Sequence, residues 1–143
     1  MKHQRHRIAA LLGLALLLAT GCGPRSGNRV AVSGTVTFDG QPVDGGAIVF
    51  LPQGDGASDR ARSGSGIEAG KYAIPAEKGP ALGKYRVEIR WPRPTGKQIP
   101  SDDPPNLMDE TRQVIPDKFN SRSELSCDVQ PGKNTFDFSL TSK

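Results

Sequence analysis

The chain has 143 residues, with 19 Lys plus Arg against 15 Asp plus Glu, two His and two Cys. His3, His6, Lys2, Arg5 and Arg7 all sit at the very start, so the remainder carries 16 basic residues against 15 acidic ones and no histidine. That excludes a Ser-His-Asp triad, a histidine general base, a His-ligated metal and the concentrated basic footprint that nucleic-acid binding needs.

The start "MKHQRHR" is basic, and Ile8 to Ala19 is apolar. That run is too short for a membrane helix, which needs about 20 residues. It has the length and flanks of a secretory signal peptide over residues 1–21. Small residues Ala19, Thr20 and Gly21 lead directly into Cys22, with Leu18 one step further back than the usual position. "LLATGC" resembles the lipobox of bacterial lipoproteins. The resemblance implies cleavage before Cys22, lipidation of its thiol, and attachment to a membrane of the cell envelope, facing the periplasm or cell surface. Two or more acyl chains, at about 0.8 kcal/mol per buried methylene, anchor stably where one does not. Residues 22–28, "CGPRSGN", then form a lipidated Cys and a flexible tether. Residues 29–143 are enough for one domain with one core.

The domain reads with a period of two. In "RVAVSGTVTF", Val30, Val32, Val36 and Phe38 share a face with Gly34. Asp39-Gly40 and Gly45-Gly46 are turn chemistry. "AIVFL" is a continuous apolar run and predicts a strand buried on both faces. "ARSGSGIE" predicts a weak edge strand, and Ala69-Gly70 a tight turn into "KYAIP", where Tyr72 and Ile74 share a face. "GKYRVEIRW" alternates most cleanly, with Tyr85, Val87, Ile89 and Trp91 opposite Lys84, Arg86, Glu88 and Arg90. Pro92 to Asn120 reads as a long irregular loop, with at most a turn of helix near Met108 to Arg112. "ELSCDVQ" and "TFDFSL" are closing strands around the turn "PGKN", with Leu125, Cys127, Val129, Phe136, Phe138 and Leu140 inward. About seven short strands and no helical stripe predict an all-β fold, a single antiparallel β-sandwich of the transthyretin-like or immunoglobulin-like Greek-key kind.

"VSGTVTFDGQPVDGGAIVFLP", "GKYAI" and "LGKYRVEI" together resemble the carboxypeptidase regulatory-like family, a transthyretin-like β-sandwich. The matching positions are Gly34, Val36, Gly40, Pro42, Val43, Gly46, Ala47, Val49, Gly70, Tyr72, Gly83, Tyr85 and Val87. "IPDKFNSRSEL" is similar to the closing element of small bacterial lipoproteins with this domain, with Phe119 where Tyr is usual. The resemblance covers about 110 residues and implies a fold that hosts many roles. Hydroxyisourate hydrolases on this sandwich use His and Arg and end in Tyr-Arg-Gly-Ser, whereas this chain ends "SLTSK". Intradiol dioxygenases need iron-binding His. Isopeptide-forming domains need a Lys on the first strand, where "RVAVSGTVTF" has none, although Asn134 would suit the other end. The resemblance therefore implies a non-enzymatic module without a cofactor.

The expectation is a membrane-anchored envelope lipoprotein acting as an interaction or structural module, its partner an unidentified envelope protein or glycan and not a nucleic acid. The alternative is a carbohydrate-binding module of the envelope, which Trp91 with Arg90, Arg93 and Lys97 would serve as an aromatic and cationic surface. Core packing of Trp91 is the competing reading. Asp102, Asp103, Asp109, Glu110 and Asp117 lack calcium-loop spacing and read as a solvated acidic loop. Cys127 reads as a buried, inert thiol, and no metal site is expected.

Overall fold

The structure is a computed structural model and describes residues 28–143, so the expected signal peptide and Cys22, with the tether up to Gly27, lie outside the described residues. β1 (Val32–Phe38) shows the alternation of its sequence, with Val32 and Val36 buried and Thr35 exposed. Asp39 and Gly40, at φ 49° and 78°, return the chain into β2 (Gln41–Pro42). Two left-handed central residues are the requirement of a type I′ hairpin. β3 (Ala47–Pro52) is flanked by β4 (Ser63–Gly66) and β6 (Gly83–Arg90). Between them β5 (Lys71–Ile74) follows a second left-handed pair, Ala69-Gly70, and joins β1. β7 (Pro92–Pro100) and β8 (Leu107–Gln113) form a separate two-stranded sheet. β9 (Ser126–Val129), β10 (Asn134–Thr135) and β11 (Phe138–Leu140) complete the chain.

Two sheets face each other. One holds β1, β2, β5, β10 and β11; the other has the order β4-β3-β6-β9. The all-β sandwich expected from the sequence is what forms. Its pairs are antiparallel except those of β1 with β10 and β11, which are parallel. The first and last strands are joined by no tight turn, so nothing forces them to run in opposite directions.

The core lies between the sheets. Phe50 is fully buried, and its ring meets Tyr72, Tyr85 and Phe136 at centroid distances of 6.1, 6.4 and 6.5 Å. Val43, Ile67 and Ile115 are also buried, from turns and connections where a period-two reading assigns no face. β3 departs from expectation: Ile48 and Phe50 are buried, but Ala47, Val49 and Leu51 are only half-buried, because its outer face is not covered by a third layer. "ARSGSGIE" supplies β4, at the edge of its sheet as expected.

The largest departure is Pro92 to Asn120. The expected irregular loop is instead the β7–β8 hairpin, and Met108 to Arg112 lie in β8 rather than in a helical turn. The single turn of 3-10 helix in this region is Asp117–Phe119. Pro92, Pro94 and Pro100 concealed the strand, since proline cannot donate to a ladder and usually argues against one. A two-stranded ribbon has an outer edge that needs no donors, and that is where these prolines sit.

Candidate functional site

The hairpin leaves the sandwich at Trp91, immediately after β6. The Trp91 indole N–H donates to the Asp44 carbonyl at 3.0 Å, and its backbone N–H donates to Gln113 Oε1 at 2.8 Å. The same Gln113 oxygen accepts from the Ile115 backbone N–H at 3.2 Å, and Ile115 is buried in the core. The Val114 N–H donates to the Trp91 carbonyl at 3.3 Å. One glutamine amide therefore ties both strands of the hairpin base to the sandwich. The ribbon is held at its root and is solvated along its length.

All nine residues of β7 are exposed. Near the tip, Ile99 pairs with Met108 and Pro100 with Leu107, and Ile99, Leu107 and Met108 are the exposed large hydrophobics of the described chain. Ile99 and Met108 share one face of the ribbon and Leu107 lies on the other, so the tip is apolar on both faces. Exposed apolar side chains clustered in one segment mark a contact region more often than scattered ones do. The register is irregular between Pro94 and Gln98, and Thr95 Oγ1 donates to Glu110 Oε2 at 2.5 Å across that irregularity.

Of the four residues of the candidate surface, Arg93 and Trp91 come together, while Arg90 is engaged elsewhere and Lys97 lies farther out. The Arg93 guanidinium lies over the Trp91 ring, 5.1 Å from its centroid. Arg90 points from the outer face of β6, where Glu88 pairs with it at 3.2 Å and with Arg86 at 2.9 Å. Lys97 sits farther out, inside the register irregularity. Trp91 is half-buried and packs against the core, its N–H already bonded and its ring beneath Arg93. This geometry favours a fixed anchor for the arm over a sugar-stacking platform. The acidic side chains of the region stay apart: no three His, Cys, Asp or Glu gather as metal ligands among the described residues.

"IPDKFNSRSEL" is a structural corner. Asn120 is buried, and its amide donates to the carbonyls of Ile115 and Pro116 at 2.9 and 3.0 Å. Phe119 packs against the core from the side.

An open groove of about 920 Å³ crosses the outer face of β1 and β5, lined in part by Ser33, Thr35, Lys71, Thr135 and Asp137. Asp137 Oδ1 accepts from the Thr35 backbone N–H at 2.7 Å and its hydroxyl at 2.8 Å. Sequence reasoning missed this groove, because it depends on β10 lying beside β1.

Cys127 is half-buried on β9, and burial, with Asp128 adding, pushes its thiol up to about 12. Burial likewise pushes the Tyr72 phenol above its ordinary range, with Cys127 and Asp137 adding. Both shifts favour the neutral form in the folded protein. Stability should therefore hold up to about pH 8.5 and fall above it, as the unfolded chain ionises and the folded one does not. At pH 8, iodoacetamide should alkylate native Cys127 about a thousandfold more slowly than the denatured chain, by mass spectrometry. A rate near that of the denatured chain would show an accessible thiolate.

No family model matches the chain, and no curated protein matches it. Among solved structures it is similar to part of a 9R-lipoxygenase from Cyanothece, with 11% identity and a TM-score of 0.39 over 96% of this chain. The chain corresponds to 18% of that protein's length, a likeness too slight to carry an argument about fold or chemistry. No helix among the described residues is long and apolar enough to cross a membrane.

Proposed function

We propose that this protein is a non-enzymatic, membrane-anchored lipoprotein of the cell envelope, acting as an interaction or structural module. In this reading, residues 1–21 are removed, Cys22 carries the lipid, and residues 29–143 form a carboxypeptidase regulatory-like sandwich. The observation that supports it most is the solvated β7–β8 arm, which carries Ile99, Leu107 and Met108 away from the sandwich on a base pinned by Trp91 and Gln113. An arm built this way suits contact with another macromolecule. The lack of any histidine beyond His6 supports the non-enzymatic part. The carbohydrate-binding alternative is weaker, since the indole it would use is occupied at its N–H and covered by Arg93.

The test is expression of the full chain with a tag at its carboxyl end in a bacterial host, beside Cys22→Ser. The parent should sediment with membranes, and its amino-terminal peptide should carry acyl mass on Cys22. Cys22→Ser should appear in the soluble fraction. Membrane attachment of both forms, or an unmodified Cys22, would overturn the anchor. Crosslinking of the anchored form then reports whether envelope proteins or glycans contact the arm.

A further inference from the structure

The two edges of the β7–β8 ribbon are unequal. In an antiparallel pair, residues alternate between those bonded to the partner strand and those whose N–H and C=O point outward. The Val114 N–H donates to the Trp91 carbonyl, and the Ser101 N–H to the Asn106 carbonyl. Pairs one step from these, Pro92 with Gln113 and Pro100 with Leu107, are then of the outward kind, as is Pro94 with Thr111. The outer edge of β7 therefore presents Pro92, Pro94 and Pro100, which have no N–H to offer and interrupt pairing, with Gln98 the one outward donor between them. The outer edge of β8 presents the N–H groups of Leu107, Asp109, Thr111 and Gln113. Among the described residues, β8 pairs with β7 and with no third strand.

Charge along β8, "LMDETRQ", selects what can pair there. A second β8 running antiparallel, bonded through the outward residues, has few registers, and those centred on Leu107, Met108 or Gln113 overlap three residues of β8 or fewer and pair no opposite charges. Centred on Asp109 it opposes Asp109 to its copy. Centred on Glu110 or on Arg112 it likewise opposes like charges. Centred on Thr111 it opposes Glu110 to Arg112 twice by symmetry, Asp109 to Gln113, and Thr111 to Thr111. Opposite charges and Thr pairs across a ladder are favourable, and like charges are not. Within its own hairpin Arg112 stands opposite Arg93, which is turned over Trp91, and Arg112 has no ion-pair partner among the described residues. The register on Thr111 supplies the missing carboxylate.

We propose that the outer edge of β8 is a self-association site, where two copies of this chain join antiparallel about Thr111 into a continuous four-stranded ribbon, with Glu110 of each copy against Arg112 of the other. The site does not depend on lipidation of Cys22, so its test and the test of the anchor fail separately.

The test uses the full chain in bacterial cells, oxidised and run on a non-reducing gel. Thr111→Cys should give a disulfide-linked dimer about tenfold above both the parent and Glu77→Cys, an exposed position on a sandwich turn. Adding Glu110→Arg or Arg112→Glu to Thr111→Cys should cut the yield about tenfold, and both reversals together should restore it. Soluble monomer from each single reversal at the parent's level shows that the reversals fold. A dimer yield from Thr111→Cys no higher than from Glu77→Cys overturns the proposal. So does a yield indifferent to the charge reversals, which would mean random collision, or a product dominated by other proteins, which would give the edge to a different partner.

Discussion

Gly34→Ala should destabilise the sandwich by about 3–4 kcal/mol, among the largest effects of any single-methyl addition. Gly34 lies in β1 at the point where pairing passes from β10 to β11. A Cβ there would stand 1.8 Å from the Phe136 carbonyl oxygen and 2.7 Å from its carbon, both backbone atoms. That carbonyl also accepts from the Tyr72 hydroxyl at 2.8 Å, while the Phe136 N–H donates to the Ser33 carbonyl at 3.0 Å. Relief of the clash must move the closing segment away from β1 and stretch both bonds. The readout is urea unfolding followed by Trp91 fluorescence. A midpoint within the range of an ordinary surface substitution would mean that β1 and Phe136 do not approach this closely.

Phe50→Ala should cost about 3–5 kcal/mol, through lost burial and the cavity left behind. Phe50 sits where aromatic side chains from both sheets meet: Tyr72 and Phe136 on one side, Tyr85 beside it in its own sheet. Three rings lose their common neighbour, and rigid strands cannot collapse onto the space as a loop would. Phe50→Leu should cost about a third to a half as much, because most of the volume is kept. Equal costs for the two would show that ring geometry, rather than volume, holds the site together. The comparison is made by guanidinium unfolding of both variants under one condition.

The sandwich was legible because its strands obey one simple rule. Val32, Val36, Tyr85, Val87 and Ile89 alternate with polar residues, and each is buried. The turns Asp39-Gly40 and Ala69-Gly70 were legible for a different reason, since few residue pairs adopt two consecutive left-handed conformations. Three features were not legible. Val43, Ile67 and Ile115 reach the core from segments with no periodicity. The outer face of β3 is apolar without being covered, so its sequence gave the same signal as a strand between two layers. The hairpin hid behind Pro92, Pro94 and Pro100, which read as breakers until their common parity is noticed: all three fall on the edge that needs no donor. Trp91 illustrates a limit of another kind. Its alternation placed it correctly at the end of the core strand, but its bonds to Asp44 and Gln113, which make it the anchor of the arm, join positions far apart in sequence.

The Gln113 amide, Trp91 and Ile115 divide the molecule into two parts with different obligations. No residue from Pro92 to Arg112 belongs to the hydrophobic core, and the arm touches the rest of the chain mainly at its root. Substitutions along the arm therefore leave the sandwich's unfolding free energy almost unchanged, and backbone amides there exchange with solvent by openings far smaller than global unfolding. The arm can change its sequence, and with it whatever it touches, while the domain that carries it stays folded.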